Sequence, residues 1–170
     1  MIKILITGGA GFIGSSLADQ LLKNGNYHIV LVDNLLTGDL RKVPTSSRCK
    51  FIKCDVNNYN DIAAIVTRYQ FDYIFHFAAV VGVKRTLDNP IMVLQDLEGL
   101  KNILNLCKNT GVKRLFFSSS SEVYGEPVEL PQHEETTPLN SRLPYAVVKN
   151  VGESFCKAYQ KEYGLDYTIF

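Results

Sequence analysis

The stretch ITGGAGFIG, residues 6–14, decides how the rest of the chain is interpreted. It follows an apolar run at residues 2–7 and leads into a segment with helical spacing at residues 12–24. Its glycines fit the pattern Gly9-x-Gly11-x-x-Gly14 and equally Gly8-x-x-Gly11-x-x-Gly14. Glycine lets the backbone turn sharply and approach a diphosphate, while the following helix N-terminus offers free N–H groups and a positive dipole end. The stretch therefore predicts a diphosphate-binding turn between a strand and a helix.

An acid at the end of the second apolar run makes this interpretation more specific. Glycine triplets also occur wherever a strand enters a helix tightly, so the triplet alone is weak evidence. Asp33, in LVDN, follows Gly14 by 19 residues. A carboxylate there can accept hydrogen bonds from both hydroxyls of an adenosine ribose and would repel a 2′-phosphate. We therefore predict a dinucleotide site that favours NAD over NADP; the alternative is that Asp33 only begins the turn at Asn34.

Strand-like and helix-like segments alternate along the rest of the chain. Apolar runs such as KILIT and YIFHF are typical of parallel strands covered on both faces. The alternation predicts an α/β fold, a Rossmann-type doubly wound parallel sheet with helices on both faces, as one NAD-binding domain over residues 1–170. The predicted strands cover residues 2–7, 28–33, 50–54, 72–77, 114–118 and 167–170, and the predicted helices cover residues 12–24, 62–69, 91–109 and 145–163.

Two segments do not follow this alternation. The polar stretch at residues 125–142 is long for a connector in a compact domain, so we expect a functional or mobile segment. The last strand-like segment, LDYTIF, reaches residue 170 with no closing helix. We therefore expect a chain truncated before a C-terminal substrate domain.

Composition narrows the possible partners. The 170 residues are 46% hydrophobic and 21% charged with a net charge of +1, which gives no electrostatic case for nucleic acid or an anionic membrane. No apolar run approaches the roughly 18 residues of a membrane span, and the N-terminus lacks a signal-peptide core, so we expect a cytoplasmic protein. The four cysteines form no CxxC pair, which indicates neither a metal site nor a disulfide framework. A small-molecule partner is favoured by elimination.

A possible proton-transfer pair lies in the last predicted helix. PYAVVK, residues 144–149, places Tyr145 and Lys149 one helical turn apart on one face. A free tyrosine titrates near 10, and a neighbouring ammonium together with an oxidised nicotinamide ring would bring its pKa toward neutrality. This spacing is also common on amphipathic helices, but beside a dinucleotide fingerprint it predicts a base that removes a hydroxyl proton.

Hydroxyl groups are concentrated where another strand ends. SSSSEVYG, residues 118–125, directly follows the apolar run Leu115-Phe116-Phe117. The carboxyl ends of strands in open α/β sheets face the ligand crevice, so these side chains are candidates for a reaction site. A polar turn that only fills space, with Glu122 as a solvated acid, is the alternative.

These motifs together resemble a known family. TGGAGFIG (7–14), CDV (54–56), HFAA (76–79), SSSSEVYG and PYAVVK occur in the order and spacing of the extended short-chain dehydrogenase/reductases, the NAD-dependent nucleotide-sugar epimerases and dehydratases. The resemblance implies oxidation of a UDP- or dTDP-hexose at C4, followed by re-reduction, dehydration or decarboxylation of the 4-keto sugar. The alternatives are a UDP-glucuronate decarboxylase-like enzyme and a truncated NAD-binding module without turnover. The resemblance also implies a possible homodimer through the helices at 91–109 and 145–163.

The resemblance further implies roles for individual residues. Tyr145 would be the base, and Lys149 would bind the nicotinamide ribose and tune Tyr145. Ser120 would hydrogen-bond the reacting hydroxyl, and Glu122 would move a second proton in a dehydratase or decarboxylase. The residues implied to bind NAD are Gly8, Gly11, Phe12, Ile13 and Gly14 at the pyrophosphate, Asp33 and Asn34 at the adenosine ribose, Asp55 and Val56 at the adenine, and Phe77, Ala78, Ala79, Ser118, Tyr145 and Lys149 toward the nicotinamide.

Two other positions matter in this comparison. His76, in HFAA, ends a strand in the family's pattern, so we expect a structural role in preference to acid–base chemistry. Asp96, in LQDLEGLKN, stands where the family usually has asparagine, so hydrogen bonding or helix contacts there are expected to differ.

Overall fold

The computed structural model describes residues 1–170 and consists of one six-stranded parallel sheet with helices on both faces. The strand order is β3-β2-β1-β4-β5-β6, and every pairing is parallel. The order therefore reverses between β1 and β4, which places a crevice at the carboxyl ends of these two strands. The strands are β1 (Ile2–Thr7), β2 (Tyr27–Asp33), β3 (Cys49–Lys53), β4 (Tyr73–His76), β5 (Arg114–Phe117) and β6 (Asp166–Ile169).

Of the five α-helices, all but the short third one, which has no buried residue, contribute to two main cores on the faces of the sheet. Ala18 of the first helix packs with Ile4, Ile6 and Leu31 of the strands on one face. The second, fourth and fifth helices pack on the opposite face in a larger core of 20 buried residues. None of the helices combines the length and hydropathy that crossing a membrane requires. The helices are α1 (Phe12–Leu22), α2 (Tyr59–Tyr69), α3 (Val83–Asp88), α4 (Pro90–Thr110) and α5 (Pro144–Tyr163).

The predicted doubly wound parallel sheet is confirmed, with small differences in its elements. Helix α2 begins three residues before its predicted start, because the Asn58 side chain accepts from the backbone N–H of Asn60 and caps the helix there. Helix α3 was not predicted, since six residues are too few to show a helical period. Helices α4 and α5 both end at glycines with positive φ, Gly111 and Gly164.

The polar segment 125–142 contains no helix or strand and is held by its own hydrogen bonds. Thr137 is buried in it with 6% of its surface exposed. Its hydroxyl donates to the Glu129 carboxylate at 2.6 Å and accepts from the backbone N–H of His133 at 2.7 Å. The segment is therefore a loop with hydrogen bonds of its own that leads from the 3-10 helix after β5 to the start of α5.

Candidate functional site

A crevice of about 610 Å³ opens at the carboxyl edge of the sheet, within the size range of small-molecule and cofactor sites. It extends from the ends of β2 and β3, past the glycine-rich turn after β1, to the ends of β4 and β5 and the start of α5. All the residues predicted to bind the cofactor line this crevice: Gly8, Gly11, Phe12, Ile13, Gly14, Asp33, Asn34, Asp55, Val56, Phe77, Ala78, Ala79, Ser118, Tyr145 and Lys149.

The turn after β1 has the geometry of a diphosphate cradle. Gly8 has a φ of +67°, a conformation that side chains disfavour. A Cβ on Gly14 would lie 2.5 Å from the carbonyl oxygen of Gly8, so only glycine permits helix α1 to begin this close to the turn. Phe12 and Ile13, in the first turn of α1, are 77% and 60% exposed along the edge of the crevice. The bare backbone and the helix N-terminus beside it fit a dinucleotide diphosphate.

Asp33 joins the glycine-rich turn to the end of β2. One carboxylate oxygen accepts from the backbone N–H of Ala10 at 3.0 Å, and the other accepts from the backbone N–H of Leu35 at 2.8 Å. The second bond shows that Asp33 does begin the turn at Asn34, as the alternative interpretation required. Asp33 also lines the crevice, so the turn places its carboxylate where a ribose could reach it. The two interpretations are therefore compatible.

Asp55, after β3, stands next to this turn. Its carboxylate accepts from the side-chain amide of Asn34 at 3.3 Å and from the backbone N–H of Asn57 at 2.9 Å. Asn57 was not predicted to line the crevice, and its side-chain oxygen is buried without a hydrogen-bond partner. We call the part of the crevice defined by Asp33, Asn34, Asp55 and the glycine-rich turn 8–14 the adenosine end, after the role predicted for these residues.

A buried threonine connects β1 to the loop after β4. The Thr7 hydroxyl accepts from the backbone N–H groups of Phe77 at 3.1 Å and Ala78 at 3.0 Å, and lies 2.9 Å from Nδ1 of His76. Because the hydroxyl oxygen already accepts two bonds, its own proton points to Nδ1, which requires a neutral imidazole with its hydrogen on Nε2. Burial first, and the Lys149 ammonium second, lower the pKa of His76 to about 3. The structure places His76 at the end of β4, buried and hydrogen-bonded to Thr7, in agreement with the predicted structural role.

The other end of the crevice contains Tyr145 and Lys149, which lie one turn apart on α5 as predicted. The Lys149 side chain is buried, and its ammonium donates to the backbone carbonyl of Ser118 at 2.7 Å. The ammonium lies 5.6 Å from the centre of the Tyr145 ring. Burial lowers the pKa of Lys149 to about 8, and the Asp96 carboxylate opposes that shift. We call Ser118, Ser120, Tyr145 and Lys149 the reaction end.

The predicted lowering of the Tyr145 pKa by Lys149 is not found in the chain alone. Burial raises the pKa of the Tyr145 phenol, and the carboxylates of Glu122 and Asp96 raise it further. The neighbouring Ser120 hydroxyl is the one group that opposes this shift. The Lys149 ammonium donates to the Ser118 carbonyl, and no hydrogen bond joins it to the phenol. A bound cation would have to supply the missing stabilisation of the phenolate.

Ser120 and Glu122 lie beside Tyr145 and do not line the crevice. Ser120 caps the short 3-10 helix Ser121–Tyr124, where its hydroxyl accepts from the backbone N–H of Glu122 at 3.2 Å. Glu122 is exposed. The neighbouring Ser119 donates to the Glu153 carboxylate at 2.5 Å, so the serines after β5 have distinct partners. Both predicted residues are therefore close to the phenol at the mouth of the reaction end.

Several crevice residues were not predicted. Asp96 was noted only as a departure from the resembling family, yet its carboxylate accepts from the backbone N–H of Val80 at 2.7 Å and lines the crevice. Thr7, which is buried and holds the loop after β4 without lining the crevice itself, was assigned only to its strand. No local pattern marks such residues, because their partners come from distant elements. The other unpredicted lining residues are Val32, Leu36, Thr37, Cys54, Asn57, Val80, Val81, Met92 and Gln95.

The chain contains no group of three histidine, cysteine, aspartate or glutamate side chains arranged to hold a metal ion, and its four cysteines are unpaired. The class of the protein is instead defined by three features: the parallel sheet, the glycine-rich turn with Asp33, and the tyrosine–lysine pair. The protein is a Rossmann-type dinucleotide-binding protein with a tyrosine–lysine pair at the reaction end of the crevice.

Comparison with known proteins identifies the family within that class. Residues 4–170 match the NAD dependent epimerase/dehydratase family, and the chain belongs to it. It is 34% identical over 170 residues to the UDP-glucose 4-epimerase of Mycolicibacterium smegmatis, covering 97% of this chain and 53% of that protein. It is 36% identical over 172 residues to UDP-glucuronic acid decarboxylase 1 of Xenopus tropicalis, covering 98% of this chain and 39% of that protein.

A solved structure shows the same fold. The UDP-glucose 4-epimerase of Thermus thermophilus in complex with NAD superposes with a TM-score of 0.91 and 32% identity, over 99% of this chain and 54% of that one. The predicted resemblance to NAD-dependent nucleotide-sugar epimerases and the prediction of NAD as the cofactor are confirmed by these findings. The chain spans about half the length of the epimerases that it matches.

Proposed function

We propose that this chain forms the NAD-binding and proton-transferring part of a nucleotide-sugar epimerase or dehydratase that acts through a 4-keto sugar. One observation carries the proposal: a single crevice has a glycine-rich turn with Asp33 at one end and Tyr145 beside Lys149 at the other. The glycine-rich turn and Asp33 are features that dinucleotide binding requires. Tyr145 beside Lys149 is a feature that removal of a hydroxyl proton requires. The similarity to a UDP-glucose 4-epimerase and to a UDP-glucuronic acid decarboxylase supports a nucleotide sugar as the substrate.

The residues of the reaction end divide the proton transfer between them. A bound NAD would supply the acceptor for the hydride lost from C4 of the sugar. The Tyr145 oxygen takes the proton of the C4 hydroxyl, while Ser120 holds that hydroxyl by a hydrogen bond. The Lys149 ammonium has three donors, one of which is used by the Ser118 carbonyl, so two remain to hold a ribose. These roles are the ones that the resemblance to the family implies, and the positions of Tyr145 and Lys149 in the crevice are consistent with them.

A second candidate, decarboxylation or dehydration, is favoured by Glu122. Its carboxylate lies close enough to Tyr145 to raise the pKa of the phenol. An exposed carboxylate at the mouth of the crevice can move a second proton after oxidation at C4, which simple epimerisation does not require. The similarity to the Xenopus tropicalis decarboxylase is consistent with this candidate. The substitution Glu122→Gln would abolish decarboxylation or dehydration and leave epimerisation intact.

The remaining expectations about the whole protein stay predictions. They are a UDP- or dTDP-hexose as substrate, a C-terminal substrate domain, a cytoplasmic location, and a homodimer through α4 and α5. Ile91 and Leu94 on α4 and Val147 on α5 are exposed apolar side chains that such a dimer could cover. Packing of these helices onto the sheet accounts equally well for their buried apolar residues.

The proposed activity is tested by incubating the purified chain with NAD and a panel of UDP- and dTDP-hexoses and uronic acids, with products separated by chromatography. We expect a converted sugar, and we expect Tyr145→Phe to lower its rate by about 10²- to 10⁴-fold with NAD binding retained. Tyr163→Phe, an exposed tyrosine on the same helix, is the matched control and should leave the rate unchanged. NAD binding without product from any sugar would indicate a binding module without turnover.

A further inference from the structure

Asp96 is a carboxylate that the proposed reaction does not use, although it lies in the crevice. It extends from α4, and its carboxylate accepts one hydrogen bond, from the backbone N–H of Val80 in the loop after β4. It is only partly exposed. Asp96 also lines a small cavity of about 10 Å³, and the other side chains around that cavity separate its carboxylate from bulk water. They are His76, Ala78, Ala79, Leu100, Phe117, Val148 and Lys149.

Charged and titratable groups face Asp96 from every element packed around it. Helix α5 contributes Lys149 and Tyr145, β4 contributes His76, and the segment after β3 contributes Asp55. Lys149 is the one basic side chain that lines the crevice. The crevice therefore contains more negative than positive charge, since Asp33, Asp55 and Asp96 all line it.

This excess of negative charge affects the two oxidation states of a nicotinamide cofactor differently. The oxidised form has a positively charged pyridinium ring, and the reduced form has lost that charge. Both forms have the same two phosphates, so repulsion of the diphosphate cancels when their affinities are compared. A carboxylate in a partly desolvated site attracts the pyridinium with little screening by water. The charge beside Lys149 therefore favours the oxidised form.

We propose that Asp96 makes this crevice selective for NAD⁺ over NADH, through its negative charge beside Lys149 at the reaction end. The inference rests on the proposed function only in that the chain binds NAD. It assigns to this aspartate a role in choosing the oxidation state of the cofactor, as a positioning charge that takes no part in proton transfer. The selectivity should depend on whether the Asp96 carboxyl is ionised.

Ionisation of Asp96 falls in an accessible pH range. Burial raises its pKa to about 6, while the Val80 N–H and the Lys149 ammonium oppose the shift and Asp55 adds to it. His76, with a pKa of about 3, stays neutral between pH 5 and 7, and Lys149, with a pKa of about 8, stays charged. Raising the pH through about 6 therefore adds negative charge at Asp96. The ratio of the NADH to the NAD⁺ dissociation constant should rise with it.

The test measures both dissociation constants by isothermal titration calorimetry at about pH 5.5 and 7. For the unaltered chain, we expect the NADH-to-NAD⁺ ratio to be roughly three- to tenfold higher at the upper pH. In Asp96→Asn, which keeps an oxygen for the Val80 N–H, the ratio should stay at its low value at both pH values. Glu98 is an exposed acid on the same helix, paired with Lys101. Glu98→Gln removes the same charge, and its ratio of dissociation constants should change with pH as in the unaltered chain.

The outcomes separate this inference from the proposed function. If both cofactor forms bind but the ratio is the same at both pH values in the unaltered chain, the inference is overturned and NAD binding stands. A folded Asp96→Asn chain that keeps the pH-dependent ratio overturns it as well. If neither form binds, both proposals are overturned. Should Asp96→Asn fail to fold, the pH series on the unaltered chain decides alone.

Discussion

The two ends of the crevice are built in different ways. At the adenosine end, two backbone N–H groups donate to one carboxylate, that of Asp33. The neighbouring turn is free of side chains because Gly8 and Gly14 have none. At the reaction end, the key group is a buried ammonium, Lys149, which is 31 residues from its carbonyl partner at Ser118. Backbone geometry therefore shapes the first end of the crevice, whereas burial and nearby charge set the protonation of the side chains at the second.

The largest expected effect concerns the buried charge of the reaction end. Lys149 has a pKa of about 8 in the fold against 10.5 as its unperturbed value. At a pH between these two pKa values, the lysine is protonated in the unfolded chain and mostly neutral in the folded chain. The contribution of Lys149 to the free energy of unfolding therefore increases by about 3 kcal/mol as the pH rises through this range. Lys149→Met lacks this increase. Urea unfolding at about pH 7 and 10 for both chains measures the difference.

Lys157→Met provides the control for this measurement, because Lys157 is an exposed lysine on the same helix. It should show the same increase as the unaltered chain. An equal increase in the Lys149→Met chain would contradict the description of Lys149 as a buried charge destabilised by desolvation.

The next effect tests whether backbone geometry dominates the adenosine end. Gly14→Ala would place a Cβ 2.5 Å from the Gly8 carbonyl oxygen and displace the turn from helix α1. We expect NAD binding to weaken on the order of a hundredfold, measured by calorimetry. Gly25→Ala is the matched control, since a Cβ there meets nothing within 4 Å. Equal affinities for the two variants would show that the turn does not depend on glycine at position 14.

A third effect concerns the threonine that joins β1 to the loop after β4. Thr7→Val removes the hydroxyl that accepts from Phe77 and Ala78 and pairs with His76. The Ala78 N–H and the buried His76 ring would lose this partner, while the Phe77 N–H keeps a bond to the Thr7 carbonyl, so we expect a loss of about 2 kcal/mol in the free energy of unfolding. Thr7→Ser keeps the hydroxyl and should recover most of that loss. If Thr7→Val were as stable as the unaltered chain, the hydroxyl would not be what holds the loop after β4.

The smallest effect concerns choice between NAD and NADP. Asp33→Ala removes the carboxylate expected to accept from the ribose hydroxyls, so NAD should bind about tenfold more weakly and the preference over NADP should decrease. Asp19→Ala removes an exposed acid on α1 and serves as the control. Calorimetric titration with each cofactor measures the preference. If the ratio of the NAD to the NADP dissociation constant did not change, Asp33 would have only its turn-forming role.

Much of the adenosine end could be predicted from the sequence. The glycine-rich turn, Asp33 and the alternation of strands and helices are local patterns, since backbone sterics and side-chain periodicity act over a few residues. The one-turn separation of Tyr145 and Lys149 was predictable for the same reason. Helix α3 was missed because six residues do not establish a period, and Thr7 was missed because its three partners lie about 70 positions away.

The sequence by itself thus determined the order of the elements, the class of the fold and the types of residue available for chemistry. The tertiary structure alone decided that Lys149 is buried, that burial raises the pKa of Tyr145, and that Asp96 lies in the same crevice. The physical reason is that a pKa depends on solvent exclusion and on charges contributed by distant elements. Only the packed fold brings those elements together.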